Sequence, residues 1–192
     1  IPLRLVGSEM CIRDRLEAME ERQVSIEGAT RPLPDPFFVL ATQNPADQTG
    51  VFALPESQLD RFLMRISMGH PPRNAERALL LGQDRRALLT QLEPGLTPAQ
   101  LREAQTAVLQ VATTGPLVDY LLALIEHTRR HPALKGGLSP RAGLALKRAA
   151  QAWAFLHGRS GVIPEDVQAV FPALAQHRLL PAGREQAAPS AA

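Results

Sequence analysis

The sequence predicts the C-terminal end of an α/β core followed by an all-helical domain, and three observations carry that expectation. The run PFFVLATQN at residues 36–44 is almost unbroken in its apolar character, as a strand buried on both faces of a parallel sheet must be. The triplet His70-Pro71-Pro72 is a stiff break in the chain. Beyond it, apolar residues recur at helical spacing behind Ser, Thr and Pro helix starts.

Each element follows in order. Residues 1–15, IPLRLVGSEMCIRDR, show no period and fit nothing that follows. From Leu16, LEAMEERQ sets Leu16 and Met19 at helical spacing and reads as the end of a helix. QVSIEGATRPLP alternates Val24 and Ile26 with polar residues and turns at Glu27-Gly28, the pattern of a short β-hairpin. The apolar strand comes next, and its polar end, Thr42-Gln43-Asn44, lies where open α/β sheets place their ligands. Residues 45–55 read as loop, PESQLDRFLM as a short helix with Pro55 near its first turn, and Ile66 to Met68 as a last strand.

After the break, Asn74 is placed to cap ERALLLGQDRRALL. Thr97-Pro98 opens a helix to Val111, with Leu101, Ala104, Val108 and Val111 on one face. A further helix runs from Pro116 to Arg130 and buries Leu117, Tyr120, Leu121, Leu124 and Ile125. Ser139-Pro140 starts a long helix to His157, closed by Gly158, and Pro164-Glu165-Asp166 starts the last one, to Gln176. The tail, residues 181–192, is small and polar and expected to be disordered.

Composition sets the outer bounds. With 45% hydrophobic residues among 192, the chain has the make-up of an ordinary globular protein. Its 21 Lys and Arg against 19 Asp and Glu give a net charge of +2, which lends no support to nucleic-acid binding. The single Cys11 excludes a disulfide framework or a Cys-rich metal site within one chain. No apolar run approaches the roughly 20 residues that span a bilayer, and charges interrupt the N-terminus where a signal core would lie. A cytoplasmic setting is the expectation.

Three polar residues exceed what packing needs. Asn44 before Pro45 suits a loop start, or else an amide at the sheet's edge aimed at a terminal phosphate or an attacking water. Arg61 suits an ion pair with Asp60 or Glu56, worth under about 1 kcal/mol, or else a guanidinium reaching a phosphate across a subunit interface. Arg141 opens a helix, where a cation opposes the macrodipole by roughly 0.3–1 kcal/mol unless an anion is near; that misfit makes it the most informative of the three.

The strings LEAMEERQVSIEG, PFFVLATQNPADQTGVFALPESQLDRFLMRISM and GGLSPRAGLALKRAAQAWAFLHGRSGVIPEDV resemble the MoxR family of AAA+ ATPases, from Leu16 to about Leu180. The resemblance implies an α/β fold: the C-terminal part of a AAA+ core at 16–69 and an all-α lid at 73–180. It implies that Asn44 is sensor 1, that Arg61 is the arginine finger and that Arg141 is the sensor-2 residue, with the hairpin at 23–33 as the insertion before sensor 1. It further implies ATP and Mg²⁺ as cofactors and a homo-oligomeric ring, a hexamer. Chaperone-like work on client proteins, such as metal-cofactor insertion, would follow, with a von Willebrand-type domain protein as a partner.

The chain also departs from the family. Neither a G-x-x-x-x-G-K-[ST] phosphate loop nor the acidic metal-binding motif is present; Lys135 precedes Gly136-Gly137, and Lys147 lies within a helix. Residues 1–15 do not match the family and read as foreign, so the chain reads as a piece of a longer gene product. His127 and His131 share a helix face but have no evident third metal ligand, and Arg129-Arg130-His131 with Lys135 reads as a solvated helix end. Two rival readings are a non-catalytic subunit that docks on AAA+ neighbours and a chelatase-type relative.

Overall fold

The computed structural model describes residues 18–19, 21–26, 29–43, 55–82 and 91–182. Two strands, β1 (Gln23–Ile26) and β2 (Ala29–Pro32), pair antiparallel with Ile26 opposite Ala29. The two residues between the strands, where the sequence reading put the turn, lie outside the described residues. Ser25 and Thr30 meet across the pair through their hydroxyls at 3.2 Å.

Residues 36–43 belong to no strand, contrary to the sequence expectation, and neither do Ile66 to Met68. Phe38 is 82% exposed and Met68 93% exposed. The reason is physical: a strand exists only through hydrogen bonds to a neighbour, and among the described residues none lies alongside. Apolar residues suited to a sheet interior are thus left facing outward.

Helix α1 (Glu56–Leu59) follows Pro55 and is a single turn, shorter than PESQLDRFLM suggested. Helix α2 (Arg73–Leu80) is capped by Pro72, so Asn74 lies inside it and bonds the Ala75 amide at 2.9 Å. The helix ends at Leu80, with Gly82 at φ 78°, short of the expected ERALLLGQDRRALL, whose residues 83–89 lie outside the described residues. Helix α3 (Pro98–Gln110) begins with a reciprocal cap: the Thr97 hydroxyl accepts from the Gln100 amide, while the Gln100 side chain accepts from the Thr97 amide.

Helices α4 (Gly115–Arg130), α5 (Pro140–Leu156) and α6 (Pro164–Ala175) form the bundle that holds the molecule together. Leu117, Leu121 and Ile125 of α4 are buried at the spacing the sequence shows, and Leu146, Ala150 and Ala154 of α5 and Val167, Val170 and Leu174 of α6 close on them. Each buried Leu or Val contributes about 1.5–3 kcal/mol. Small residues on α5 let the helices approach closely: a Cβ on Gly143 would lie 2.7 Å from Ile125 Cδ1. Strands β3 (Leu134–Lys135) and β4 (Leu180–Pro181) pair antiparallel, and the Ala182 amide donates to Ala133 O at 2.9 Å. The first two residues of the expected tail are therefore bonded to the bundle; residues 183–192 lie outside the described residues.

Two links join the N-terminal segment to this bundle. Arg102 of α3 donates to Asp35 O at 2.8 Å. Residues 60–65 lie along the C-terminal end of α6, and that contact builds the site.

Candidate functional site

The turn after α1 carries Asp60 and Arg61, held in helical sense by Asp60 N donating to Glu56 O at 2.9 Å and Phe62 N to Leu59 O at 3.1 Å. Across from it, the sequence Leu138-Ser139-Pro140-Arg141 starts α5. Ser139 caps that helix by accepting from the Ala142 amide at 3.1 Å, and Pro140 at the first position wastes no hydrogen bond. A cleft of about 200 Å³ opens between the two segments. Arg61, Arg141, Arg178 and Asp60 line it together with Met19, Leu63 and Ala145. Among the described residues its lining brings three guanidinium groups, those of Arg61, Arg141 and Arg178, together with the carboxylate of Asp60.

Arg178 is the organising residue. Its side chain is 4% exposed and its Nε donates to Asp60 Oδ1 at 2.7 Å. The other four N–H groups reach Leu63 O, Leu174 O, Asp60 O and Phe62 O at 2.6–3.1 Å. All five guanidinium donors are used, which is what allows a cation to be buried here at all. His177 adds a bond to Phe62 O at 3.0 Å, Gln176 bonds Arg65 O, and Arg65 N donates to Ala173 O at 2.8 Å. One late carbonyl of α6, Ala173 O, is thus satisfied by a distant segment, while Pro172 O, Leu174 O and Ala175 O accept from residues 176–179.

Of the residues singled out in the sequence, Arg61 and Arg141 meet on this cleft, Arg61 half-buried and Arg141 exposed. Asn44 lies outside the described residues. Sequence reasoning missed Arg178, His177 and Gln176. The available signal was a polar cluster, QHR, at the end of the last helix, where cations meet unsatisfied carbonyls. A wider depression on α3, lined by Ala99, Arg102, Glu103, Thr106 and Ala107, gathers no such set. The His127 and His131 rings stack edge to face at 5.4 Å. Among the described residues no group of three His, Cys, Asp or Glu is placed to hold a metal ion, and no helix is long and apolar enough to cross a membrane.

Two family models match the chain: the ATPase family associated with various cellular activities (AAA) over residues 12–64, and the AAA lid domain over residues 126–192. The chain is 37% identical over 183 residues to Chaperone MoxR1 of Mycobacterium tuberculosis, covering 86% of this chain and 46% of that protein. It is 32% identical over 184 residues to Protein MoxR of Paracoccus denitrificans, covering 85% and 54%. The chain belongs to the MoxR family of AAA+ ATPases. YeaC of Bacillus subtilis, an uncharacterized protein, is 42% identical over 165 residues, covering 86% of this chain and 52% of its own length. A crystal structure of a candidate ATPase from Cytophaga hutchinsonii superposes with a TM-score of 0.79 at 32% identity, covering 91% of this chain and 56% of the other. This MoxR-family chain therefore spans about half the length of the relatives it matches. Its fold is the C-terminal part of a AAA+ core followed by a helical lid.

Proposed function

We propose that this chain is the sensing and triggering part of an ATPase that hydrolyses ATP in a hexameric ring to remodel or mature client proteins. The core part is residues 16–69 and the lid 73–180. Arg61 acts on the nucleotide of a neighbouring subunit, Arg141 on that of its own subunit, and Asn44 orients the attacking water. What supports the reading most is the pair of family matches, the AAA model over the segment with Arg61 and the AAA lid model over the segment with Arg141.

The chemistry fits these side chains. Bound ATP supplies a phosphoryl group whose transfer spreads negative charge over its oxygens. Arg61 and Arg141 carry permanent charge in a planar fork that matches phosphate oxygens, and they sit on elements whose backbones are fixed before any ligand arrives. The described residues suit a polyphosphate but offer no acidic cluster for Mg²⁺, and no step is assigned to a metal held by them. A cytoplasmic setting, work such as metal-cofactor insertion and a von Willebrand-type domain partner belong to the same proposal.

The test uses a full-length protein that carries a phosphate loop ahead of this segment. Arg61→Ala should leave ATP affinity nearly intact and lower turnover at least about tenfold, whereas Arg141→Ala should weaken both. Mixing Arg61→Ala subunits with subunits lacking the phosphate-loop lysine should restore part of the activity, at interfaces that pair an intact Arg61 with an intact loop. Mixed rings that recover nothing would show that Arg61 does not act across the interface. A second reading, a subunit that donates Arg61 without hydrolysing ATP itself, is favoured by the absence of G-x-x-x-x-G-K-[ST] from these 192 residues. Full-length turnover would decide against it.

A further inference from the structure

Asp60, next to Arg61 in the sequence, is bonded both to the cap of the helix that carries Arg141 and to Arg178. Its Oδ2 accepts from Ser139 Oγ at 3.1 Å, and Ser139 caps the helix that carries Arg141 two residues on. Its Oδ1 accepts from Arg178 Nε at 2.7 Å. Arg178 then grips the backbone on each side of Arg61, through Asp60 O at 2.9 Å before it and through Phe62 O at 2.7 Å and Leu63 O at 3.1 Å after it. The fifth donor returns to Leu174 O at 2.6 Å, inside α6. A guanidinium with all five donors committed, on a side chain 4% exposed, has one arrangement in which every bond is kept. The backbone around residue 61 consequently has one position relative to α6.

We infer that Arg178, with Asp60, is a positioning clamp: the lid of each subunit sets the reach of its own Arg61 toward the neighbouring nucleotide. The inference rests on the reading of Arg61 as a cation acting across the interface and names the residue that controls it. Arg178 touches no substrate; it acts through the backbone on either side of Arg61. The Asp60–Ser139 bond extends the same body to the start of α5, so a movement of the lid that follows Arg141 carries Arg61 with it. Nucleotide state in one subunit is thereby passed to catalysis in the next through side chains of a single chain. A lysine cannot replace Arg178, because three donors on one atom cannot span a carboxylate and four carbonyls.

The experiment measures kcat and KM for ATP in the full-length ring, for the parent, Arg61→Ala, Arg178→Gln and the double variant. Arg178→Gln should lower kcat about tenfold or more with KM nearly unchanged, since Ser139 still caps α5 and holds Arg141. The double variant should be no slower than Arg61→Ala alone, because the clamp acts only through Arg61. Arg178→Gln subunits mixed with subunits lacking the phosphate-loop lysine should regain activity, which a general loss of folding would not allow. If Arg178→Gln does not assemble, Asp60→Asn carries the same test, with the backbone bonds kept and a smaller fall in kcat. A kcat unchanged in Arg178→Gln while Arg61→Ala is slow, or a double variant much slower than Arg61→Ala, overturns the clamp. A full-speed Arg61→Ala overturns the reading beneath it, and the clamp's catalytic role with it.

Discussion

Arg178 and His177 sit side by side in the sequence and do opposite things with charge. Arg178 is buried as a cation because every donor is paired; His177, 7% exposed, is buried neutral. Its Nε2–H donates to Phe62 O at 3.0 Å, while Nδ1 is buried without a hydrogen-bond partner. Burial pushes its pKa below the ordinary 6.5; the Phe62 bond and Asp60 oppose that shift, and Arg178 and Arg65 reinforce it. The unfolded chain then takes up the proton more readily than the folded one. The stability tied to neutral His177 is complete above the ordinary value and is lost as pH falls below it toward the folded value. Thermal unfolding followed from about pH 7.5 to 5.5 should show a midpoint that drops less steeply in His177→Gln than in the parent. Equal slopes would mean that His177 does not titrate in its buried position. Local physics brought Arg61 and Arg141 to notice in the sequence, the first through its setting and the second through its misfit with the helix dipole. Arg178 had only the weaker signal of the QHR cluster, since its acceptors at residues 62 and 63 and one of its two at residue 60 are main-chain carbonyls that no side-chain pattern announces.

The helices were legible because their signals are local. Thr97-Pro98, Ser139-Pro140 and Pro164 mark starts that the structure keeps, and Gly158, at φ 69°, follows the end of α5. The expected strand at residues 36–43 failed for the complementary reason: its signal is burial, and burial requires partners that the described residues do not supply. Packing between elements is sharpest where the chain returns from α4 to α5. There Arg129 Nε donates to Leu138 O at 2.9 Å and the Leu138 amide donates to Thr128 Oγ1 at 3.1 Å. Gly136 and Gly137 both take positive φ, at 84° and 66°. Only Gly137 is crowded, since a Cβ there would lie 2.6 Å from the Arg129 backbone. Gly137→Ala should therefore cost about 2–3 kcal/mol, and Gly136→Ala only about 1 kcal/mol for its conformation. Urea unfolding of the two variants checks the difference. Equal losses would show that the approach to α4 can relax.

At the scale of the whole molecule, the sequence carries the cations of the proposed site and no G-x-x-x-x-G-K-[ST] string. A polyphosphate is normally held by several backbone amides and a metal, whereas in the proposed reading this chain has only Asn44 and Arg141 for its own nucleotide. Calorimetry with Mg-ATP at millimolar concentration should accordingly show no saturable tight binding to the 192-residue chain. A clear binding isotherm would mean that the cleft alone suffices. The clamp also has a consequence in time. Asp60 and Arg178 are 118 residues apart, so a ribosome working at 5–20 residues per second leaves about 6–24 s between making the carboxylate and making its partner. For most of that interval α6 is not yet made, and the backbone of residues 60–65 lacks the partners it later bonds there. The bundle from α4 to α6 closes through nearer contacts, which cost less chain entropy to bring together. The segment bearing Arg61 is therefore made early and fixed late, and a stalled or slowed synthesis prolongs the period in which it is open to proteases.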